Sequence, residues 1–79
     1  MREHLRGFCL KSLDRIERLL DPKNVSFTFA PIIKLRLTTK RNILKHLIDY
    51  DTCLNFASEE DLEQYIEDRT NIICGFYED

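Results

Sequence analysis

The first twenty residues carry apolar side chains at every third or fourth position. These side chains belong to Leu5, Cys9, Leu13, Ile16 and Leu20. Because an α-helix turns once in about 3.6 residues, this spacing places them on one face of a helix. Asp21 and Pro22 come next, and a proline just beyond the last apolar position ends a helix. The pattern predicts a helix over residues 3–20.

Apolar and polar residues alternate between positions 25 and 37. The odd positions are apolar throughout, whereas the even positions are mostly Ser, Thr, Lys or Arg. A period of two is typical of a strand with one buried face. Pro31 has no amide proton to donate to a sheet ladder, so the run divides at that residue. We predict two strands, 24–29 and 32–38, joined as a hairpin or as a sharply bent edge strand.

The rest of the chain predicts two further helices and one or two further strands. Residues 40–50 place their apolar side chains on one helical face. Residues 59–69 do the same after Ser58, a residue type that caps helix N-termini. Short apolar runs at 53–57 and 72–77 have the length and composition of strands. Because the run at 53–57 is short, the predicted sheet has three strands without it or four strands with it.

The order of these elements, α-β-β-α-(β)-α-β, places the chain in the α+β class. The expected fold is a mixed sheet of three to four strands covered by helices. With 79 residues, the chain has room for one hydrophobic core only. We therefore expect a single globular domain spanning residues 1–79.

The charges are divided unevenly along the chain, although the formal net charge is only −2. Residues 1–46 carry eleven Lys and Arg against four Asp and Glu, a balance of +7. Residues 47–79 carry ten Asp and Glu against one Arg, a balance of −9. Each of the two regions therefore offers a surface for a partner of opposite charge.

The acidic region centres on the predicted helix 59–69. Its candidates for partner binding are Glu59, Glu60, Glu63, Glu67 and Asp68. The helix dipole favours carboxylates in the first turn only, so it does not explain the later ones. The leading hypothesis is a non-enzymatic protein-binding domain that docks this helix on a basic protein surface, for example that of an enzyme that handles nucleic acid. A solvated, solubilising face is the alternative interpretation of the same residues.

The basic region supports a second hypothesis, direct binding of nucleic acid. Its candidates lie on the edge of the first helix and in a ribbon over residues 34–45: Lys11, Arg15, Arg18, Lys34, Arg36, Lys40, Arg41 and Lys45. Clustered Lys and Arg residues neutralise phosphates. Against this hypothesis stand an acidic pI near 5.6 and the lack of a sequence motif that clamps or stacks bases.

The same charge division allows self-association as a third hypothesis. Opposite charges on two faces of one subunit dock on another copy, which yields a closed homo-oligomer or a filament. In size, acidity and lack of catalytic motifs, the chain resembles the small inhibitor or accessory proteins that phages and mobile elements encode. The resemblance implies an inhibitory or accessory role.

Catalytic, metal-binding and membrane functions have weaker support in the sequence. Cys9, Cys53 and Cys74 are odd in number, widely spaced and flanked by apolar residues, which predicts buried free thiols rather than disulfides or a zinc site. His46 and Asp49 lie one helical turn apart, a common arrangement on solvated helices. We therefore expect no enzyme activity, cofactor or metal. No apolar run suits a membrane span or a signal peptide, which predicts a cytoplasmic protein.

Overall fold

Three α-helices make up most of the part of the protein that the structure describes. The computed structural model describes residues 2–23 and 31–75, and none of these residues lies in a strand. The elements are α1 (Glu3–Leu20), α2 (Pro31–Asp49), a 3₁₀ turn (Thr52–Asn55) and α3 (Glu59–Cys74). The predicted α+β fold with a mixed sheet is therefore wrong, because the described chain is an all-helical, three-helix bundle.

The helix α2 replaces the predicted strand 32–38 and the predicted helix 40–50 by one continuous element. Pro31 is its first residue, a position that favours proline because the amide there has no partner within the helix. Thr39, at the junction of the two predicted elements, is buried, whereas Leu35, which the alternating pattern placed inside, is exposed. The proline thus begins a helix instead of dividing two strands.

The helix α3 is longer than predicted. It continues to Cys74 instead of ending at residue 69, so most of the predicted strand 72–77 is helical or lies beyond the described residues. Gly75 follows with φ 83°, in the left-handed region that favours glycine. The predicted strand at 53–57 is wrong as well, because the 3₁₀ turn occupies most of it.

The first helix matches its prediction, since α1 spans Glu3–Leu20. The predicted strand 24–29 lies outside the residues that the structure describes. Among residues 2–23 and 31–75, no helix combines the length and the apolar character needed to cross a membrane.

The helix α2 lies between the other two helices. Arg6 near the start of α1 pairs with Asp51 just beyond α2, with 2.6 Å between Nη1 and Oδ1. Arg36 near the start of α2 bonds to Asn71 near the end of α3. Both neighbours therefore run antiparallel to α2 and parallel to each other. Within the described residues, α1 and α3 make few contacts with each other, so they are held together mainly through α2.

The hydrophobic core joins α1 and α3 to the C-terminal half of α2. Its buried members are Leu5, Cys9, Leu44, Leu47, Cys53, Leu62 and Ile66. All three cysteines are free and buried, which confirms the predicted buried thiols. Burial, with the neighbouring Cys53 contributing, raises the pKa of Cys9 to about 12, so this thiol stays protonated at neutral pH.

Candidate functional site

The acidic surface begins at the N-terminus of α3. The Ser58 side chain caps the helix, with its Oγ accepting a hydrogen bond from the Asp61 amide at 3.2 Å. Glu59, Glu60 and Asp61 occupy the first turn, where the positive end of the helix dipole stabilises carboxylates by about 0.3–1 kcal/mol each. The local sequence therefore fixes where the helix starts and orients the next two turns, which carry Glu63 and Glu67.

Glu67 is held by α2. Its carboxylate contacts Arg36, with Nη2 at 2.6 Å from Oε2, and Lys40, with Nζ at 3.0 Å from Oε1. Arg36 Nη2 also donates to Asn71 Oδ1 at 2.8 Å. Because positions 36 and 40 are one turn apart on α2, both cations reach the same carboxylate. Glu67 is therefore part of the α2–α3 contact.

This contact lowers the pKa of Glu67. The Lys40 hydrogen bond contributes most, the charges of Lys40 and Arg36 add to it, and partial burial opposes them. A carboxyl group with a lowered pKa stabilises the fold above its ordinary value of 4.5, and that stability is lost as the pH falls through the lowered pKa. Since 45% of the Glu67 side chain is exposed, solvent screening limits the contribution to about 1 kcal/mol.

Glu67→Gln is accordingly expected to lower the free energy of unfolding by about 1 kcal/mol at pH 7, since it leaves two half-buried cations without their carboxylate. Urea unfolding at neutral pH and at about pH 3 measures this effect, and the difference from the native sequence should shrink at the lower pH. Glu63→Gln, one turn earlier on α3, is the matched control and should leave stability nearly unchanged. An equal loss in the control would contradict the assignment of Glu67 to the fold.

Glu60 and Glu63 have no such partners. Among residues 2–23 and 31–75, neither side chain forms an ion pair or a hydrogen bond. Asp68 accepts a hydrogen bond from Gln64 on the same helix, with 2.9 Å between Nε2 and Oδ1. Of the five predicted acidic site residues, Glu67 is thus neutralised and Asp68 is partly engaged. We call Glu60 and Glu63 the free carboxylates.

The free carboxylates line a groove between α1 and α3, which we call the α1–α3 groove. Its volume is about 530 Å³, and α2 forms its floor with Lys40 and Leu44. The α1 wall consists of Phe8, Ser12, Arg15 and Ile16, and Gln64, Ile66 and Glu67 complete the α3 wall. The groove therefore has a mixed lining, with the apolar Phe8 and Ile16 on the α1 wall beside Arg15 and with unpaired negative charge on the α3 wall.

Sequence reasoning missed the α1 wall. Phe8 and Ile16 belong to the apolar stripe of α1, but the sequence does not tell which part of that stripe a neighbouring helix leaves uncovered. The spacing of positions 8, 12, 15 and 16 was the available signal, because these positions share one helical face. The weak contact between α1 and α3 turns this face into the wall of a groove.

The predicted basic ribbon over 34–45 is not a single surface. At about 100° per residue, Lys34, Arg41 and Lys45 lie on one side of α2, and Arg36 and Lys40 lie on the opposite side. The second side faces α3 and is paired with Glu67. The two sides therefore do not present their charges to one partner together.

Two of the remaining basic candidates, Lys45 and Arg18, contact carboxylates of α1. Lys45 approaches Glu17, with 3.8 Å between Nζ and Oε2, and Arg18 pairs with Asp14 on the same helix at 3.1 Å. The Arg41 Nε atom is buried without a hydrogen-bond partner among the described residues. Lys11 and Lys34 are exposed.

A second groove lies between α2 and α3, away from the free carboxylates. It has a volume of about 400 Å³ and is lined by Asn42, His46, Tyr65, Arg69 and Ile73, among others. The His46 ring packs against Tyr50, with 4.5 Å between ring centroids. Within the described residues, no cluster of three or more His, Cys, Asp or Glu side chains is arranged to hold a metal ion.

Comparison with protein-family models, with curated proteins and with solved structures found no significant match.

Proposed function

We propose that the chain is a cytoplasmic, non-enzymatic binding domain that docks the groove-lining side of α3, which carries Glu60 and Glu63, on a basic protein surface. The observation that carries this proposal is the contrast within α3. Glu67 is neutralised by Arg36 and Lys40, whereas Glu60 and Glu63 line an open groove without an ion pair among the described residues.

Exposed, unpaired carboxylates favour recognition of a cationic partner. They attract it over distances of about a Debye length, roughly 8–10 Å at physiological salt, and so accelerate association. Each exposed ion pair contributes only about 0–1 kcal/mol, so charge alone does not give a tight complex. Phe8 and Ile16 in the α1–α3 groove supply apolar surface whose burial adds affinity.

An inhibitory or accessory role is consistent with this surface. Enzymes that handle nucleic acids present Lys and Arg side chains to the phosphate backbone. A carboxylate surface competes for such side chains because it offers negative charge and hydrogen-bond acceptors, as phosphates do. The proposed partner is therefore a protein with a basic binding surface, and occupation of that surface would block its ligand.

Nucleic acid is a weaker candidate partner. The basic side chains of α2 are divided between two opposite sides, and Arg36, Lys40 and Lys45 are each near a carboxylate of this chain. A phosphate backbone approaching the α1–α3 groove would meet the repulsion of the free carboxylates. These observations favour a protein partner over nucleic acid. Self-association would appear in affinity capture as a second copy of this chain.

Affinity capture with three matched baits tests the proposal. The baits are the native sequence, Glu60→Gln/Glu63→Gln, and Glu59→Gln/Asp61→Asn, which removes the same number of charges from α3 outside the groove. We expect a protein from the cells of origin to be held by the first and third baits and lost from the second, and to be released by salt.

Three results would contradict the proposal. Equal retention by all baits would show that the free carboxylates are not used. Capture of nucleic acid alone would favour the basic hypothesis, and capture of a second copy of this chain alone would favour self-assembly.

A further inference from the structure

We infer that the α1–α3 groove receives one amphipathic helix of the partner, with its basic flank against Glu60 and Glu63 and its apolar face over Phe8 and Ile16. This inference rests on the proposed function and specifies the occupant of the same site. It follows from the shape of the groove, from the backbone chemistry of its walls and from the distribution of charge.

The shape of the groove suits a helix. Because α1 and α3 run parallel to each other on either side of α2, their facing stripes form two walls with α2 as the floor. The lining positions run from Phe8 to Ile16 on α1 and from Glu60 to Glu67 on α3. At about 1.5 Å per residue, each wall is roughly 10–12 Å long. That length matches two turns of an incoming helix, whose contacts fall at i, i+3 or i+4, and i+7.

The backbone of the walls also favours a helical occupant. One way to bind an extended peptide is to add it as a strand to an exposed sheet edge, and residues 2–23 and 31–75 contain no strand. Apart from Glu60 in the first turn of α3, the lining residues lie inside α1, α2 and α3, where amides and carbonyls are bonded within each helix. Contact with the occupant therefore involves side chains, and a fourth helix packed at roughly 8–10 Å from its neighbours would complete a four-helix bundle.

The carboxylates of Glu60 and Glu63 determine which flank of the bound helix should be basic. Glu60 and Glu63 stand one turn apart on the α3 wall, and Lys40 on the floor already binds Glu67. The α3 wall therefore retains two unpaired negative charges within the described residues. A helix with Lys or Arg at positions i and i+3 or i+4 along one flank reaches both carboxylates. The flank next to Arg15 should be neutral or acidic.

Synthetic peptides provide the probe. The first is a helical peptide of about 15 residues with Leu at the groove-facing positions, Lys along one flank and Gln along the other. The second replaces the Lys residues by Glu, and the third replaces the Leu residues by Ser. Fluorescence anisotropy measures binding of each labelled peptide to the whole chain. We expect binding of the first and at least about tenfold weaker binding of the other two, a difference of about 1.4 kcal/mol.

Variants of the protein separate this inference from the proposed function. Ser12→Tyr and Gln64→Tyr each place an aromatic ring in the groove from opposite walls, and either one suffices if the other fails to fold. Leu10→Tyr is the control, since Leu10 is exposed on α1 and does not line the groove. We expect a loss of at least about tenfold in affinity for the Lys-flanked peptide in the blocked variants and in Glu60→Gln/Glu63→Gln.

The outcomes distinguish the two claims. If Glu60→Gln/Glu63→Gln loses captured protein and peptide while the blocked variants bind both as the native sequence does, the occupant lies outside the groove and the inference is overturned, whereas the proposed function stands. If the captured protein is held equally by every variant, both claims fall. Equal binding of the Lys-flanked and Glu-flanked peptides, or no binding of either, would also overturn the inference.

Discussion

Leu44→Ala is expected to lower the free energy of unfolding by about 2–5 kcal/mol. Leu44 is 1% exposed and belongs to the core cluster that joins both outer helices to α2. Truncation removes buried apolar surface and leaves a cavity, and both effects destabilise the fold. Domains of this size have a net stability of only several kcal/mol, so a substantial unfolded fraction is expected at 37 °C.

Urea unfolding followed by the helical circular dichroism signal measures this loss. Leu35→Ala is the control on the same helix, because Leu35 is 48% exposed and alanine favours helix formation. It should change stability by less than about 1 kcal/mol. A loss in Leu44→Ala no larger than that of the control would contradict the central place of α2 in the core.

Thr38→Pro is the second change expected to have a large effect, with a loss of about 3 kcal/mol or more. Thr38 is the eighth residue of α2, so a proline there removes the hydrogen bond from its amide to the Lys34 carbonyl and clashes with that carbonyl. The same substitution would be mild if a strand ended at residue 38 and a helix began at 40, because proline is tolerated around the start of a helix.

Thr38→Ala is the matched control for this proline. It keeps the amide proton and raises helix propensity, so its effect should stay within about 1 kcal/mol. Thermal unfolding of the two variants gives the comparison. A proline variant as stable as the alanine variant would indicate that the helix is interrupted between residues 34 and 40.

The sequence predicted elements correctly where one periodicity was long and its ends were marked. The stripe of α1 runs for five turns and stops before Pro22, and the observed helix has the predicted bounds. Ser58 marks the start of α3, and the structure shows its side chain capping that helix. In both cases a chemical signal at the helix end agreed with the hydrophobic pattern.

The sequence misled where the apolar pattern was short. Seven residues, from 32 to 38, are too few for their apolar pattern to decide between a strand and a helix, and Pro31 either interrupts a ladder or begins a helix. The strand prediction treated Pro31 as an interruption of a ladder. In the structure Pro31 begins α2, which packs between α1 and α3. Likewise, the apolar run that ends at Cys74 continues α3, because Cys74 packs in the seam with α2 and its Sγ donates to Thr39 Oγ1 at 3.3 Å.

The candidate site was predictable in its charge and not in its geometry. The excess of carboxylates on α3 was evident from spacing alone. The ion pairs of Glu67 with Arg36 and Lys40 depend on the register between α2 and α3. No local sequence pattern predicts that register. The net charge of −2 therefore does not show that Glu67 is paired with Arg36 and Lys40. Nor does it show that Glu60 and Glu63 form an unpaired negative surface within the described residues.

Mapping the backbone amide chemical shifts of the native chain during titration with the Lys-flanked peptide tests the use of the α1–α3 groove most directly. The expected result is that the largest changes occur at Ser12, Arg15, Glu60 and Glu63, with little change at Asn42 and Arg69 in the second groove. Changes concentrated in the second groove, or along Lys34 and Lys45, would contradict binding through the free carboxylates.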